Sequence, residues 1–334
     1  MREPLFWYRR GSWLARLLMP FGAVYGEVTA MRMRWQGIAP GVPVICVGNY
    51  HVGGAGKTPT TLALVALLRE IGETPVVLSR GYGGRLKGPI SVDTARHMAA
   101  DVGDEPLMMA RSVPVVIARN RVEGAVLARS RNASVIVMDD GFQNPALKKD
   151  VSLIVIDGDR GLGNGFVFPA GPLRAPLDGQ IRATDALIVI GDGVAADDVA
   201  ALVKAKNKPV LRARLVPNAD SVAALKGQRV LAFSGIGDPA RFIRTLRAAG
   251  IDVAAEQSFA DHHVFTDDEI AALRAQASRD ALTLVTTQKD LARLGPAGEG
   301  IIAFAVTLAF DDTAALKLFV MEQLNEARMT LRRG

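Results

Sequence analysis

Residues 42–58 read Val-Pro-Val-Ile-Cys-Val-Gly-Asn-Tyr-His-Val-Gly-Gly-Ala-Gly-Lys-Thr. The first eight, 42–49, carry no charge and have the length of one buried strand. A glycine-rich turn follows, and the stretch from about Lys57 to Ile71 reads as a helix. A strand, a glycine loop and a helix in that order are the setting a phosphate-binding loop requires. Glycines let backbone N–H groups curl around phosphate oxygens, and the helix N-terminus adds free donors and a favourable dipole. His51, Val52, Gly53, Gly54, Ala55, Gly56, Lys57 and Thr58 are therefore the nucleotide-binding candidates. Lys57 would reach the β- and γ-phosphates, and the Thr58 hydroxyl would ligate Mg²⁺. The strict pattern starts with glycine where this chain has His51, and the Gly53-Gly54 pair supplies the flexibility instead. An ordinary glycine-rich turn capping a helix is the alternative.

Working outward, apolar runs recur at 75–81, 113–119, 134–140, 151–158 and 185–191, with helical stretches between several of them. Continuous apolar strands alternating with amphipathic helices predict a parallel sheet covered on both faces. A second series begins near 229: strands at 229–236, 251–259, 282–288 and 301–306, helices over 239–250 and 267–279, and a last helix over about 311–329. The expected fold is thus α/β, a P-loop NTPase-type parallel sheet with helices on both faces plus a smaller α/β lobe and an N-terminal amphipathic helix. We divide the chain into a basic amphipathic segment over 1–40, a P-loop core over 41–215 and a smaller lobe over 216–334. The Gly- and Pro-rich stretch 161–180 reads as a long loop, and long loops in compact domains are usually functional.

Three acidic groups are candidates for chemistry. Val135–Asp140 is an apolar strand ending in two acids, so Asp139 and Asp140 would face the crevice that holds the phosphate loop. With Thr58 they would make a hard, oxygen-lined Mg²⁺ site; acids at strand ends also serve as helix N-caps. Asp104 and Glu105 precede an apolar helical run, where an N-cap and a site for metal and substrate hydroxyl are both open readings. Asp261-His262-His263 follows a strand end and holds two of the four histidines, a candidate for acid–base work.

The chain has 334 residues, 49% hydrophobic and 22% charged, enough for a real core and incompatible with disorder. Its one cysteine, Cys46, excludes an internal disulfide and lies in an apolar run, which reads as buried packing. The formal charge is +6, and residues 1–35 hold six arginines against two glutamates, so four of those charges lie there. All three tryptophans, Trp7, Trp13 and Trp35, are in the same segment, and Leu14, Leu17, Leu18, Phe21, Tyr25, Val28 and Met31 recur at helical spacing. The uncharged stretch from Leu17 to Gly26 is too short to cross a bilayer. Aromatic residues, arginines and an apolar stripe together match an interfacial helix on an anionic membrane; a helix packed on the protein's own core has the same periodicity. Pro20 is expected to break or kink it near Met19.

Seven pieces occur in order along the chain: VGNYHVGGAGKTP (47–59), LSRGYGG (78–84), GDEP (103–106), MDDGFQ (138–143), FPAGPLR (168–174), FADHH (259–263) and TTQKD (286–290). Together they resemble the tetraacyldisaccharide 4′-kinase family of lipid A biosynthesis. The resemblance implies transfer of the ATP γ-phosphate to the 4′-hydroxyl of a tetraacylated glucosamine disaccharide 1-phosphate. It implies a peripheral position on the cytoplasmic face of the bacterial inner membrane. By motif, Asp104 would be the base, His262 would hydrogen-bond and tune it, and Lys57 would hold the phosphates. Glu105, Asp139 and Asp140 would arrange Mg²⁺ with Thr58. The chain departs from the family's pattern at Gln288 and Ala175, where acids are expected, and neither is given a role.

Two other readings compete. Thr287-Gln288-Lys289-Asp290 after a strand loosely resembles a guanine-reading segment, as in a GTP-driven switch. A P-loop kinase of a soluble small molecule would leave the arginine- and tryptophan-rich N-terminus as ordinary packing. Nucleic acid is not expected as a partner, because the basic charge accompanies an apolar stripe.

Overall fold

A computed structural model describes residues 3–9 and 11–333. Arg2 and Arg10, part of the basic N-terminal cluster, lie outside the described residues. Among the described residues the strands are β1 Val44–Gly48, β2 Pro75–Ser79, β3 Ile90–Ser91, β4 Val115–Ile117, β5 Val135–Asp139, β6 Val151–Asp157, β7 Ala186–Ile190, β8 Val210–Pro217, β9 Arg229–Ser234, β10 Asp252–Ser258, β11 Thr283–Thr287, β12 Ile302–Phe304 and β13 Val306–Phe310. They form a nine-stranded sheet in the order β13-β8-β7-β6-β1-β5-β2-β4-β3 and a four-stranded sheet in the order β10-β9-β11-β12.

From β8 to β4 every pairing in the large sheet is parallel. Strands β1, β2, β5, β6 and β7 are buried along their whole length, as their mainly apolar sequences require when helices cover both faces. On one face Leu64 and Leu68 of the helix Lys57–Glu70 pack with Val47, Val137 and Val155. On the other, Ala125, Ala128, Val199 and Val203 pack with Cys46, Met138 and Ile154. Cys46 is fully buried, and burial pushes its thiol up to about 12. The chain leaves β1 toward β2 on one side, while β6 lies on the other. The strand order therefore reverses at β1, and ligands of open α/β sheets bind at the carboxyl ends of the strands at such a point.

The small sheet is wholly parallel. Phe242, Ile243 and Leu246 cover one face, and Ile270, Leu273 and Ala277 the other. The sequence division at 216–334 differs from the structure at its C-terminal end. β13 pairs antiparallel with β8, and Leu316, Val320 and Leu324 of the helix Thr313–Arg333 join the core of the large sheet. The single strand expected over 301–306 is two, β12 and β13, one in each sheet.

The helix Trp13–Met33 continues through Pro20, so of the break or kink expected there a break does not occur. One backbone hydrogen bond is lost there, on a side open to solvent that can hydrate the freed carbonyl. Its buried residues are small: Ala15, Gly22 and Gly26. A methyl group at Gly22 would overlap the Val167 carbonyl, so the helix lies directly on the 161–180 loop. Trp7 is buried beside it and donates from its indole to the Pro169 carbonyl at 3.0 Å. The large apolar residues face out, with Leu17 61%, Phe21 65% and Val28 49% exposed. Among the described residues no helix is long and apolar enough to cross a membrane.

Candidate active site

The phosphate loop lies at the carboxyl end of β1 and opens the helix Lys57–Glu70. Gly53 and Gly56 have φ of +109° and +84°, backbone that only glycine adopts without strain. The Asn49 side chain donates to the Gly53 carbonyl at 3.2 Å, and Val52 N–H donates to Pro172 O at 2.8 Å. His51, standing where the strict motif has glycine, is 2% exposed and bridges to Leu173 of the long loop. Its Nδ1 lies 2.9 Å from Val52 O, which fixes Nδ1 as the protonated nitrogen, and Nε2 has no hydrogen-bond partner among the described residues. Burial, reinforced by the positive charges of Lys57, Arg174 and Arg160, lowers its pKa to about 4.

Asp139 ends β5 and is 3% exposed. Asp140 follows in the left-handed region with φ of +50°, which aspartate tolerates better than most residues. Arg174, from the far end of the long loop, grips Asp140 with two nitrogens at 2.7 and 3.2 Å, and Lys57 Nζ lies 3.8 Å from the same carboxylate. Burial opposes ionisation of Asp140, but Lys57 and Arg174 outweigh it and hold its carboxyl well below the usual range. Asp139 goes the other way. Burial pushes its carboxyl well up, and the negative charges of Glu105 and Asp140 add to this. A divalent cation would relieve that repulsion.

Among the described residues no group of three or more His, Cys, Asp or Glu side chains is arranged to hold a metal ion. The expected trio is divided: Asp140 goes to Arg174 and Glu105 to Lys289 at 3.0 Å, while Asp139 stays buried at the end of β5. Thr58 stands beside Lys57, but the hydroxyl that reaches Asp139 is that of Thr61, at 3.4 Å. This donor set fits magnesium carried in with a nucleotide, since Mg²⁺ commonly takes one or two carboxylates and completes its shell with phosphate and water.

Asp104 opens the helix Asp104–Ala110, one residue after Gly103 at φ +93°. A side chain at Gly103 would overlap the Tyr82 carbonyl, so the turn aiming Asp104 requires glycine. The smaller sheet supplies its partners. His262 Nδ1 lies 3.2 Å from Asp104 Oδ2, Lys289 Nζ 4.0 Å and Arg293 Nη2 2.6 Å. The remaining oxygen accepts the Glu105 N–H at 2.9 Å. Burial opposes ionisation of Asp104, but His262, Lys289 and Arg293 overcome it and keep the carboxyl far below the ordinary range. His262 sits in a turn with φ of +58° after β10, and the Tyr82 ring meets its edge at 5.9 Å. Its neighbours in sequence do other work: His263 stacks on Phe259 and bonds Glu269, and Asp261 is 4.0 Å from His262.

The structure thus gathers Lys57, Asp139, Asp140, Glu105, Asp104 and His262 at the meeting of the two sheets. It adds Arg174, Thr61, Lys289 and Arg293, which sequence reasoning missed. Arg174 and Lys289 fall inside quoted motifs, so a search for cations to balance these four carboxylates would have singled them out. Asp290, the acid of the guanine-reading alternative, is fully buried and occupied by Gly235 N–H, Thr287 and Arg293.

A family model described as "Tetraacyldisaccharide-1-P 4'-kinase" matches residues 14–325. The chain belongs to the tetraacyldisaccharide-1-P 4′-kinase family. Relatives named tetraacyldisaccharide 4′-kinase include one from Rhodopseudomonas palustris (strain HaA2), 68% identical with both chains covered in full. Another, from Bradyrhizobium diazoefficiens, is 67% identical over 98% of each chain. Among solved structures, the family's enzyme from Aquifex aeolicus, crystallised in complex with ATP, superposes with a TM-score of 0.74 at 29% identity. That match covers 93% of this chain and 99% of the other.

Proposed function

We propose that this kinase transfers the γ-phosphate of ATP to the 4′-hydroxyl of tetraacyldisaccharide 1-phosphate, with Mg²⁺, while docked on the cytoplasmic face of the inner membrane. The observation that carries the reading is the convergence, in a member of this family, of a phosphate loop and an ionised carboxylate presented jointly by the two sheets. Phosphoryl transfer needs positioning, charge neutralisation and an acceptor for the hydroxyl proton. Lys57 and the amides of 51–58 hold the phosphates. Asp139, Asp140 and Thr58 or Thr61 would hold magnesium, whose contribution when bound is to neutralise charge on the transferring group. Asp104 is kept ionised and buried, so it can accept a hydrogen bond from the acceptor hydroxyl and then its proton. His262, partly exposed on the other side of Asp104, gives that proton a route to solvent. Arg174 balances Asp140 and is placed to meet phosphate oxygens once a cation claims that carboxylate.

The outward apolar face of the helix Trp13–Met33 supports membrane docking. Its small residues face the protein and its large ones face away, the reverse of a helix packed on its own core. Anionic lipid would attract the arginines of this segment. In that pose an acylated acceptor would keep its chains in the bilayer and present its sugar at the crevice.

Purified protein, detergent-dispersed tetraacyldisaccharide 1-phosphate and γ-labelled ATP should put label into the lipid phase. Lys57→Ala and Asp104→Asn should each lower the rate by two orders of magnitude or more. Label that never enters the lipid, with ATP still bound, would refute the acceptor assignment; undiminished transfer by Asp104→Asn would remove Asp104 as base. Sedimentation with anionic vesicles tests docking: Leu17→Ser/Phe21→Ser should leave the protein in the supernatant, and unchanged pelleting would refute this role for the helix.

A further inference from the structure

The structure carries an anion of its own at the mouth of the phosphate loop. Glu3, from the segment before the helix Trp13–Met33, lies so close to Gly53 that a methyl group there would overlap its carboxylate. The same carboxylate is ion-paired with Arg160 and hydrogen-bonded by the Tyr8 hydroxyl. Arg160 completes the triangle: Nη2 is 3.0 Å from the Tyr8 oxygen, and the guanidinium lies 5.2 Å from the centre of the Tyr8 ring. Glu3 is thus held between an arginine and the backbone that cradles phosphate.

Arg160 is placed there by a local device. Asp157 ends β6, next to β1 in the sheet, and its carboxylate accepts the backbone N–H groups of Asp159 and Arg160 at 2.9 and 3.3 Å. That turn directs the chain back toward the loop. Asp157 is itself ion-paired with Arg241. Among the described residues, Glu3 is the carboxylate within ion-pair distance of Arg160. A half-buried guanidinium at the switch point of an α/β sheet, paired there with a carboxylate that touches the glycine loop, has the surroundings of a phosphate-binding arginine.

We propose that Arg160 is a nucleotide-phosphate-binding residue and that Glu3 is its internal competitor, holding the place of a phosphate oxygen until a nucleotide displaces it. The proposal rests on the reading of 51–58 as the nucleotide loop. On displacement, Glu3 must leave Gly53 and Arg160 together, because two anions cannot share one narrow cationic site without strong repulsion. Trp7 stays anchored to the long loop, so the movement is confined to the residues before it.

Calorimetric titration of the full chain with Mg·ATP and with adenosine tests this without any lipid acceptor. Arg160→Gln should weaken ATP by roughly tenfold or more, the worth of one charge-assisted hydrogen bond, and leave adenosine unchanged. Arg160→Lys should recover part of the loss. Glu3→Gln should do the opposite and tighten ATP severalfold; in the double variant the gain should vanish, because Glu3 competes through Arg160. ATP binding within twofold of wild type in Arg160→Gln would overturn the proposal. So would a Glu3→Gln variant that weakens ATP as much as Arg160→Gln does, which would make the pair a structural tie. A wild-type chain that binds no ATP would instead overturn the nucleotide-loop reading itself.

Discussion

Arg293 ties the two units together through one buried guanidinium. Its guanidinium bonds Asp104 of the large unit at 2.6 Å and Asp290 of the small one at 2.7 Å, and its side chain is 8% exposed. It also donates to the carbonyls of Gly235 and His263. We predict that Arg293→Met leaves two buried carboxylates short of their shared cation. Removing one partner of a buried pair costs about 3–5 kcal/mol. The lower end applies, because Asp104 keeps His262 and Lys289 while Asp290 keeps Thr287 and Gly235. Unfolding entropy of about 2.1 cal/mol/K per residue over 334 residues makes 3 kcal/mol worth about 4 °C of melting temperature. Calorimetry on wild type, Arg293→Met and Arg293→Met/Asp290→Asn gives the answer. The second substitution should return part of the loss, since it removes one of the stranded charges. The pH dependence has a definite sign. Asp104 has a folded pKa below its unfolded value. Its contribution is therefore present above about pH 4 and lost as pH falls toward the folded pKa. Arg293→Met should bring acid unfolding to higher pH. A change of less than 1 °C, with the acid limb unmoved, would refute the idea that Arg293 ties the two units together.

Two further predictions follow from the same geometry. His51 is buried neutral with its pKa lowered to about 4, against about 6.5 for the unfolded chain. Wild type should then lose about 3 kcal/mol as pH falls from 6.5 to 4, because the unfolded state takes up the proton first; His51→Asn should flatten that slope, and an identical slope would exclude burial of a neutral ring. Gly103→Ala should cost at least 1 kcal/mol, since φ of +93° and the Tyr82 carbonyl both oppose a Cβ. It should also slow transfer by displacing Asp104, and a fully stable, fully active variant would show that the turn adapts.

What the sequence disclosed, and what it hid, divides along physical lines. The mainly apolar strands β1, β5, β6 and β7 were legible, because burial on both faces leaves little room for polar residues. β8 was not, because Arg212 and Arg214 interrupt it and pair with Asp197 and Asp311 at the surface. β12 and β13 read as one strand because only Ala305, neither Gly nor Pro, separates them. The helix over 13–33 was legible as a helix, and its orientation was not. Which side faces the protein was decided by Gly22 and Gly26 fitting the long loop, and close approach of backbones has no hydropathic signal. In the candidate site, the residues whose chemistry follows from local order stood out: the glycine loop, the acid pair after β5, and the GDEP and DHH segments. The pairing of the cations that balance them was not legible, since Arg293 lies 189 residues from Asp104, and Arg174, though inside a quoted motif, lies 34 from Asp140. Ion pairs between elements carry no spacing rule.

The antiparallel pairing of β8 with β13 makes the smaller sheet an insertion. Pro217 and Val306 face each other as Cα partners, and Asn218 N–H reaches the Ala305 carbonyl at 2.9 Å. The polypeptide thus departs from the large sheet and rejoins it at one place, through two neighbouring strands. A two-residue hairpin turn could close that gap and delete residues 218–305, leaving the order of the nine strands intact. The phosphate loop and the acid pair would remain on such a remnant, while His262, Lys289 and Arg293 would go. The nucleotide half of the chemistry and the half that attends Asp104 are therefore separable by a single excision, as two modules joined at one doorway would be.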